Sequence, residues 1–175
     1  MSAPSMTLRD LLAGQTGVSV LGDAAQISVS GLQLDSRKVE PGDAFVALRG
    51  TRQHGIAFAA RAQQNGAVAI LAETPIESSD TTLPVIGIEA LGQELGEIAA
   101  RWHCNPTASM NVIGITGTNG KTSTVQLLAQ ALSANGRTVA SIGTLGAGRY
   151  GALAAGERTT PDAIELQSLF ADFRN

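Results

Sequence analysis

The chain has 175 residues, of which 43% are hydrophobic and 15% charged, so it can bury a core and lacks the composition of a disordered segment. A net charge of −3 and an aromatic content of 3% argue against a nucleic-acid partner, which needs basic side chains and stacking rings. A single cysteine excludes an internal disulfide framework. Neither a secretory signal nor the run of about 20 apolar residues that spans a bilayer is present, so we expect a cytoplasmic protein without membrane insertion.

Strand and helix patterns alternate through the first hundred residues. Thr7 can cap a short helix, and apolar residues recur at helical spacing from Leu91 to Trp102. This alternation predicts an α/β domain over residues 1–107, with a boundary after Asn105 and Pro106. The predicted strands are residues 27–34, 44–48, 67–71 and 83–88, and the predicted helices are residues 8–13, 56–65 and 91–102.

A glycine-rich turn between a predicted strand and a predicted helix is the strongest functional signal. Residues 112–115 are continuously apolar and predict a short buried strand, and a helix is predicted over residues 121–134. Glycines between them let several backbone N–H groups point at one anion beside a helix N-terminus. The residues predicted to bind a nucleoside triphosphate are Gly117, Thr118, Asn119, Gly120, Lys121, Thr122 and Ser123, with Lys121 also as the catalytic cation on the terminal phosphates and the Thr122 hydroxyl as a Mg²⁺ ligand.

This phosphate loop is a variant. The common pattern G-x-x-x-x-G-K-[ST] requires glycine where this chain has Ile115. The alternative interpretation is a strand-to-helix turn with an exposed lysine, but strand, loop, Lys-Thr pair and helix coincide in register. We therefore favour phosphate binding.

The rest of the second half predicts one more strand, a glycine-rich segment and a helix. The strand covers residues 138–142, and residues 143–156 are either a small hairpin or a loop. Thr160 as N-cap, followed by Pro161 and Asp162, predicts a helix start. Doubly wound nucleotide-binding sheets usually have about five or six strands, so we expect residues 108–175 to be the truncated start of such a domain.

Other polar clusters have no function that composition alone would assign. Asp35 and Arg37 flank Ser36 after a predicted strand, and a local turn with a surface ion pair is the simpler interpretation. Residues 51–54 have the composition of a solvated loop. His103 and Cys104 lack the spacing of a metal site and are expected to pack.

The loop Gly117-Thr-Asn-Gly-Lys-Thr-Ser123 resembles the ATP loop of the Mur ligases and the related folylpolyglutamate synthetases. Two other segments strengthen the resemblance. Leu34-Asp-Ser-Arg37, followed by the Pro41-to-Gly50 segment, is similar to the start of the UDP-binding domain in the MurE and MurF branches. Thr159-Thr-Pro-Asp162 is similar to the MurE branch, and MurF remains the alternative.

The resemblance implies binding residues at the positions that match. It places Leu34, Ser36, Thr51, Arg52 and Gln53 at the UDP part of UDP-MurNAc-L-Ala-D-Glu. Thr159 and Thr160 would approach its muramoyl-dipeptide part, and residues 117–123 would bind ATP with Mg²⁺.

The activity implied by the resemblance is ATP-dependent formation of an amide bond. The D-glutamyl carboxylate would become an acyl phosphate, which the amine of meso-diaminopimelate or L-lysine then attacks. Positioning and charge neutralisation would carry the catalysis. Several residues that the family requires lie outside these 175, so we expect no ligase turnover from this chain alone, and we take a monomer as the working expectation.

Two other classes of function are weighed against the ligase. A small P-loop kinase or NTPase predicts an Asp at the end of a second apolar strand, where this chain has Gly143 and Thr144. It would also leave the first α/β domain unexplained. A non-catalytic module that binds a UDP-sugar is the second alternative.

Overall fold

The computed structural model describes residues 5–19, 21–76, 79–154 and 160–174. The chain divides into two compact units, Met1–Trp102 and His103–Asn175. Strands and helices alternate through both, so the predicted α/β class is confirmed. No helix in the described ranges combines the length and the apolar character needed to cross a membrane.

The first unit is built on a four-stranded parallel sheet in which the strands follow each other in chain order. Since all four strands run in the same direction, the loops that follow them lie at one edge of the sheet. The strands are β3 (Gly31–Gln33), β4 (Asp43–Ala47), β5 (Ala69–Glu73) and β6 (Val85–Ile88).

Burial explains why the central strands are apolar throughout. All five residues of β4 are buried, as are the first four of β5. Continuous apolar runs are typical of parallel strands that are covered on both faces. Phe45 and Ile70 are 1% and 0% exposed and belong to one core cluster with the alanines of the following helix.

Helices cover this sheet much as predicted. The Thr7 hydroxyl accepts from the backbone N–H of Asp10 at the start of the first helix. The predicted helix over residues 56–65 begins as a 3₁₀ turn and becomes α-helical at Ala59. The helices are α1 (Leu8–Leu11), α2 (Ala59–Gln64) and α3 (Leu91–Trp102).

The first predicted strand is divided in two. β1 (Met6–Thr7) pairs antiparallel with β2 (Ser28–Val29), whereas β3 joins the parallel sheet. The division falls at Ser30, whose N–H donates to the carbonyl of Gly42 at 2.9 Å. A single alternating segment therefore serves two sheets.

In its described residues, the second unit contains a short 3₁₀ helix, two α-helices and a small antiparallel sheet. The predicted boundaries of α4 (Lys121–Ala134) are confirmed, and the glycine-rich segment forms a hairpin of β8 and β9 beside β7. The strands are β7 (Ala140–Gly143), β8 (Gly146–Arg149) and β9 (Ala152–Ala154).

The strand predicted over residues 112–115 is wrong. This segment has no strand conformation, and Val112 and Ile113 are 54% and 60% exposed. A strand needs a neighbour to bond its backbone, and none of the described residues supplies one to this segment. The apolar run therefore lies open instead of buried.

The start of the last helix, α5 (Ala163–Arg174), also differs from the prediction. The Asp162 carboxylate accepts from the N–H groups of Ile164 at 3.0 Å and Glu165 at 2.9 Å. Asp162 is therefore the capping side chain, and Thr160 lies two residues outside it. A carboxylate accepts these N–H groups well and also suits the positive helix N-terminus.

Candidate functional site

The phosphate loop contains two glycines with positive backbone φ angles. Gly117 has φ 144° and Gly120 has φ 78°, and Gly120 is the residue immediately before α4. L-amino acids with a side chain rarely adopt such angles, so these positions require glycine if the chain is to turn into the helix. The turn brings the loop backbone to the N-terminus of a helix of 14 residues.

Backbone donors are concentrated at this turn. Within the described part of the chain, the N–H groups of residues 118–123 donate to no protein acceptor. The first bonded one is that of Thr124, which donates to Gly120 O at 2.9 Å. A helix N-terminus with several open N–H groups favours an anion through both hydrogen bonds and the helix dipole. This donor set fits a phosphate group.

Two side chains add to the backbone donors. The Lys121 ammonium group donates to the carbonyls of Gly117 and Thr118, so it lies over the loop itself. The hydroxyl oxygens of Thr122 and Thr144 lie 3.5 Å apart. Thr144 directly follows β7, and sequence reasoning noted it only as the residue that stands where a kinase would have Asp. Neutral hydroxyl oxygens are ligands that Mg²⁺ accepts beside phosphate oxygens.

In the first unit, the turn after β3 is held by its own side chains. The side-chain oxygen Oε1 of Gln33 accepts from the backbone N–H groups of Leu34 at 3.1 Å and Asp35 at 3.3 Å. Ser36 is buried, and its backbone carbonyl accepts from the Asn65 side chain at 2.8 Å. Leu34 and Ser36 therefore occupy a fixed turn at the carboxyl end of a strand.

The predicted ion pair of this turn is present. Arg37 donates three side-chain hydrogen bonds to the Asp35 carboxylate, two from Nε and one from Nη2, with a shortest N–O distance of 2.7 Å. These bonds, together with the backbone N–H of Arg37, hold the pKa of the Asp35 carboxyl well below its usual range. The guanidinium is 73% exposed, so the pair contributes little stability. The charge of Arg37 is already neutralised locally.

Residues 51–53 form the exposed tip of a turn after β4. Arg49 and His54 form an antiparallel bridge at its base, and Gly50 N–H donates to Gln53 O at 3.2 Å. In the described structure, the side chains of Thr51, Arg52 and Gln53 make no hydrogen bond and remain available to a ligand. Because β3 and β4 are adjacent and parallel, this turn and the Leu34–Ser36 turn follow strand ends at the same sheet edge.

The remaining predicted positions are less informative. Thr159 lies outside the described residues, and Thr160 is exposed before the cap of α5. Burial of the His103 ring lowers its pKa, and this effect is larger than the opposite effect of the nearby Asp172 carboxylate. Cys104 is exposed. No cluster of three His, Cys, Asp or Glu side chains suited to a metal occurs among the residues that the structure describes.

Two residues of this edge were missed by sequence reasoning. The Glu73 carboxylate accepts from the Arg49 N–H in the turn of residues 49–54, and the His54 ring of the same turn contacts the Glu73 backbone carbonyl. The composition of residues 51–54 indicates a solvated loop and gives His54 no separate role. The signal that could have found Glu73 is a charged residue directly after a buried apolar strand, at the edge where ligands bind parallel sheets.

Comparison with protein families finds one match in each part of the chain. The family described as "Mur ligase family, catalytic domain" matches residues 28–103, and "Mur ligase middle domain" matches residues 115–175. The chain belongs to the Mur ligase family. The first match contains the two sheet-edge turns, and the second contains the phosphate loop.

Curated Mur ligases share high identity with the chain. It is 48% identical over 154 residues to the UDP-N-acetylmuramoyl-L-alanyl-D-glutamate–2,6-diaminopimelate ligase of Xanthomonas campestris pv. campestris, covering 87% of this chain and 31% of that protein. The ligase of the same name from Pseudomonas syringae pv. tomato is 45% identical, with 82% and 30% covered. The chain thus spans about a third of the length of the curated relatives it matches.

Solved Mur ligase structures have the same fold. A UDP-N-acetylmuramoyl-L-alanyl-D-glutamate–2,6-diaminopimelate ligase matches with a TM-score of 0.72 and 26% identity, over 98% of this chain and 34% of that one. MurF from Acinetobacter baumannii matches with a TM-score of 0.62 and 23% identity, over 97% and 33%. The second likeness concerns the fold alone.

Proposed function

We propose that this chain supplies the UDP-substrate domain and the ATP phosphate loop of a MurE-type ligase, which joins 2,6-diaminopimelate to UDP-N-acetylmuramoyl-L-alanyl-D-glutamate. The observation that carries the proposal is the 48% identity to ligases of that name over 154 residues. Residues 1–107 form the UDP-substrate domain in this proposal, and residues 108–175 begin the ATP domain. The complete activity belongs to a polypeptide of the relatives' length.

The two turns at the sheet edge bind the UDP part of the substrate. Leu34 and Ser36 provide a rigid binding surface. The Leu34 N–H donates to the Gln33 side chain and the Ser36 carbonyl accepts from the Asn65 side chain, so their backbone is fixed. Arg52 is exposed at the tip of the second turn and forms no ion pair within the described residues, so its guanidinium is available to the diphosphate. Thr51 and Gln53 add neutral donors and acceptors on either side.

The phosphate loop binds ATP. The N–H groups of residues 118–123 donate hydrogen bonds to the phosphate oxygens, and Lys121 moves from the loop carbonyls onto the β- and γ-phosphate oxygens. The Thr122 hydroxyl would hold Mg²⁺, with Thr144 beside it. When bound, the metal neutralises phosphate charge that develops during transfer.

The reaction needs no protein nucleophile. The γ-phosphate of ATP passes to the D-glutamyl carboxylate, giving ADP and an acyl phosphate. The amine of diaminopimelate attacks the acyl carbon, a proton leaves the nitrogen, and inorganic phosphate departs. Thr159 and Thr160 approach the muramoyl-dipeptide in this arrangement. The relatives' names favour diaminopimelate over lysine, and a reaction that uses ATP and a nucleotide-linked precursor belongs in the cytoplasm.

Calorimetric titration of the chain tests the proposal. UDP-N-acetylmuramoyl-L-alanyl-D-glutamate and Mg-ATP should each bind, and the mixture with diaminopimelate should give no turnover. Lys121→Ala should weaken ATP binding about ten- to hundredfold, because a hydrogen-bonded charge is lost, and should leave UDP-substrate binding unchanged.

Arg137→Ala is the matched control, since it removes an exposed cation beyond the other end of α4. It should bind ATP like the unaltered chain. Failure of the UDP substrate to bind would refute the ligase assignment. A chain that binds GTP as tightly as ATP and does not bind the UDP substrate would instead favour a kinase or NTPase.

A further inference from the structure

Both arms of the turn of residues 49–54 are attached to the same residue, Glu73. On one arm, the backbone N–H of Arg49 donates to the Glu73 carboxylate at 2.9 Å. On the other arm, the His54 ring nitrogen Nε2 lies 2.7 Å from the Glu73 backbone carbonyl. Glu73 ends β5, the strand beside the one from which the turn departs. The exposed tip is therefore anchored at both sides of its base to a neighbouring strand.

The hydrogen bond at the second nitrogen of His54 determines which ring nitrogen carries the proton. Its Nδ1 accepts from the backbone N–H of Ile56 at 3.0 Å, so this nitrogen carries no proton. Nε2 then carries the proton of the neutral ring and donates it to the Glu73 carbonyl. The ring thus connects the 3₁₀ turn that starts α2 with the end of β5, and it is half-buried while doing so.

Glu73 is itself held from a third direction. Its other carboxylate oxygen lies 3.4 Å from the N–H of Gly92, in the first turn of α3. A carboxylate at a helix N-terminus is favoured by the helix dipole. The anchor of the turn is thereby tied both to the sheet and to α3, which buries one apolar stripe.

Close backbone contacts leave little freedom at the base of the turn. A side chain on Gly50 would come within 2.8 Å of Gln53 O, and one on Gly55 would come within 2.9 Å of the Ala47 backbone. Gly55 N–H also donates to Leu48 O at 2.7 Å. The base is tightly closed, whereas the three residues of the tip have open side chains.

We propose that His54 and Glu73 are positioning residues that hold the 49–54 turn in the conformation in which Thr51, Arg52 and Gln53 contact the UDP group. This inference rests on the proposed function, which places UDP at that tip. His54 acts through its Nε2–H on the Glu73 carbonyl, and Glu73 acts through its carboxylate on Arg49 N–H. Neither side chain needs to touch the ligand.

Two substitutions of His54 separate this role from simple capping. In His54→Asn the side-chain oxygen can replace Nδ1 as acceptor for Ile56 N–H, but the amide is too short to reach Glu73. In His54→Gln the amide nitrogen extends as far as Nε2 and can still donate to the Glu73 carbonyl. The positioning role predicts UDP affinity reduced about five- to tenfold in His54→Asn and within about threefold of the original in His54→Gln.

Gln63→Ala is the matched control for lost hydrogen bonds. Gln63 bonds to Thr81 and Thr82, before β6 and so at the opposite edge of the sheet. This variant should lose stability and keep its affinity for UDP.

The chain and its variants are titrated with UDP, and amide hydrogen exchange is measured at Gly50 and Gly55. Faster exchange at these amides in His54→Asn, with weaker UDP binding and recovery in His54→Gln, supports the inference. Unchanged affinity in His54→Asn, or a loss in Gln63→Ala that parallels its stability, overturns it.

Failure of the unaltered chain to bind UDP would refute the proposed function and with it the role toward UDP. If the unaltered chain binds UDP but exchange at Gly50 and Gly55 is the same in all His54 variants, the inference is wrong while the proposed function stands.

Discussion

The two units of this chain bury their apolar residues to very different extents. In the first unit, β4 and β5 lie in the centre of a parallel sheet and are almost completely buried. In the second unit, Pro106 and Ala129 are the only buried residues that the structure describes. Among the described residues, all large exposed hydrophobic side chains except Phe58 also lie there.

The difference follows from strand pairing. Four parallel strands give the helices of the first unit a broad apolar surface, and α3 buries its stripe against it. In its described part, the second unit offers a small antiparallel sheet to α4 and α5, and most of their large apolar side chains are only half-buried. Helix formation is thus a local property of the sequence, whereas burial requires strands that are remote from it.

The two candidate ligand sites differ in the same way. The turns proposed for UDP are fixed to a well-packed sheet through side chains such as Gln33, His54 and Glu73. The phosphate loop depends on local backbone geometry and on the end of its own helix. Substitutions of apolar residues should therefore have different effects on stability in the two units.

The largest effect is expected from Ile70→Ala in the central strand β5. Ile70 is fully buried in the core cluster, so the lost side chain leaves a cavity and should cost about 2–5 kcal/mol. Leu127→Ala in α4 is the matched control, because Leu127 is 65% exposed and should change stability by under about 0.5 kcal/mol. Chemical denaturation followed by circular dichroism measures both. Equal losses would contradict the contrast between the units.

A smaller effect is expected at the start of α5. Asp162→Ala removes the side chain that accepts from Ile164 and Glu165 N–H, and should cost about 0.5–2 kcal/mol. Thr160→Ala should leave helix content and stability unchanged, since Thr160 lies outside the helix. The helical signal at 222 nm and the denaturation midpoint report both variants. A larger loss of stability in Thr160→Ala than in Asp162→Ala would support Thr160, the residue predicted from the sequence, as the N-cap.

Most of the first unit could be predicted from the sequence. Its strands are continuous apolar runs and its longest helix has a clear stripe, so periodicity located them with small shifts in their ends. The division of residues 27–34 between two sheets was not predictable, because it depends on the bond from Ser30 to Gly42, a contact between distant parts of the chain.

In the second unit, local signals predicted α4 well, since glycines on both sides limit it. The apolar run of residues 112–115 also looks local, but a strand exists only when another strand pairs with it. The same limit applies to the site. Loop glycines and Lys121 are visible in the sequence, whereas Glu73 and Thr144 acquire their roles through spatial neighbours.

The smallest effect concerns Asp35 and its dependence on pH. Because Arg37 lowers the pKa of the folded carboxyl, the pair stabilises the folded chain above the unfolded pKa of about 3.9, and this contribution is lost as the pH falls below that value. Solvent screening of the exposed pair limits it to under about 1 kcal/mol. Asp35→Asn should therefore be slightly less stable than the original at pH 7, and the difference should shrink progressively as the pH falls from about 4 to 2, as measured by urea denaturation. Asp80→Asn is the control, since Asp80 forms no hydrogen bond or ion pair in the described structure. A difference at Asp35 that persists unchanged at pH 2 would show that the Asn side chain disturbs the turn itself, and that the ion pair is not the source of the stability.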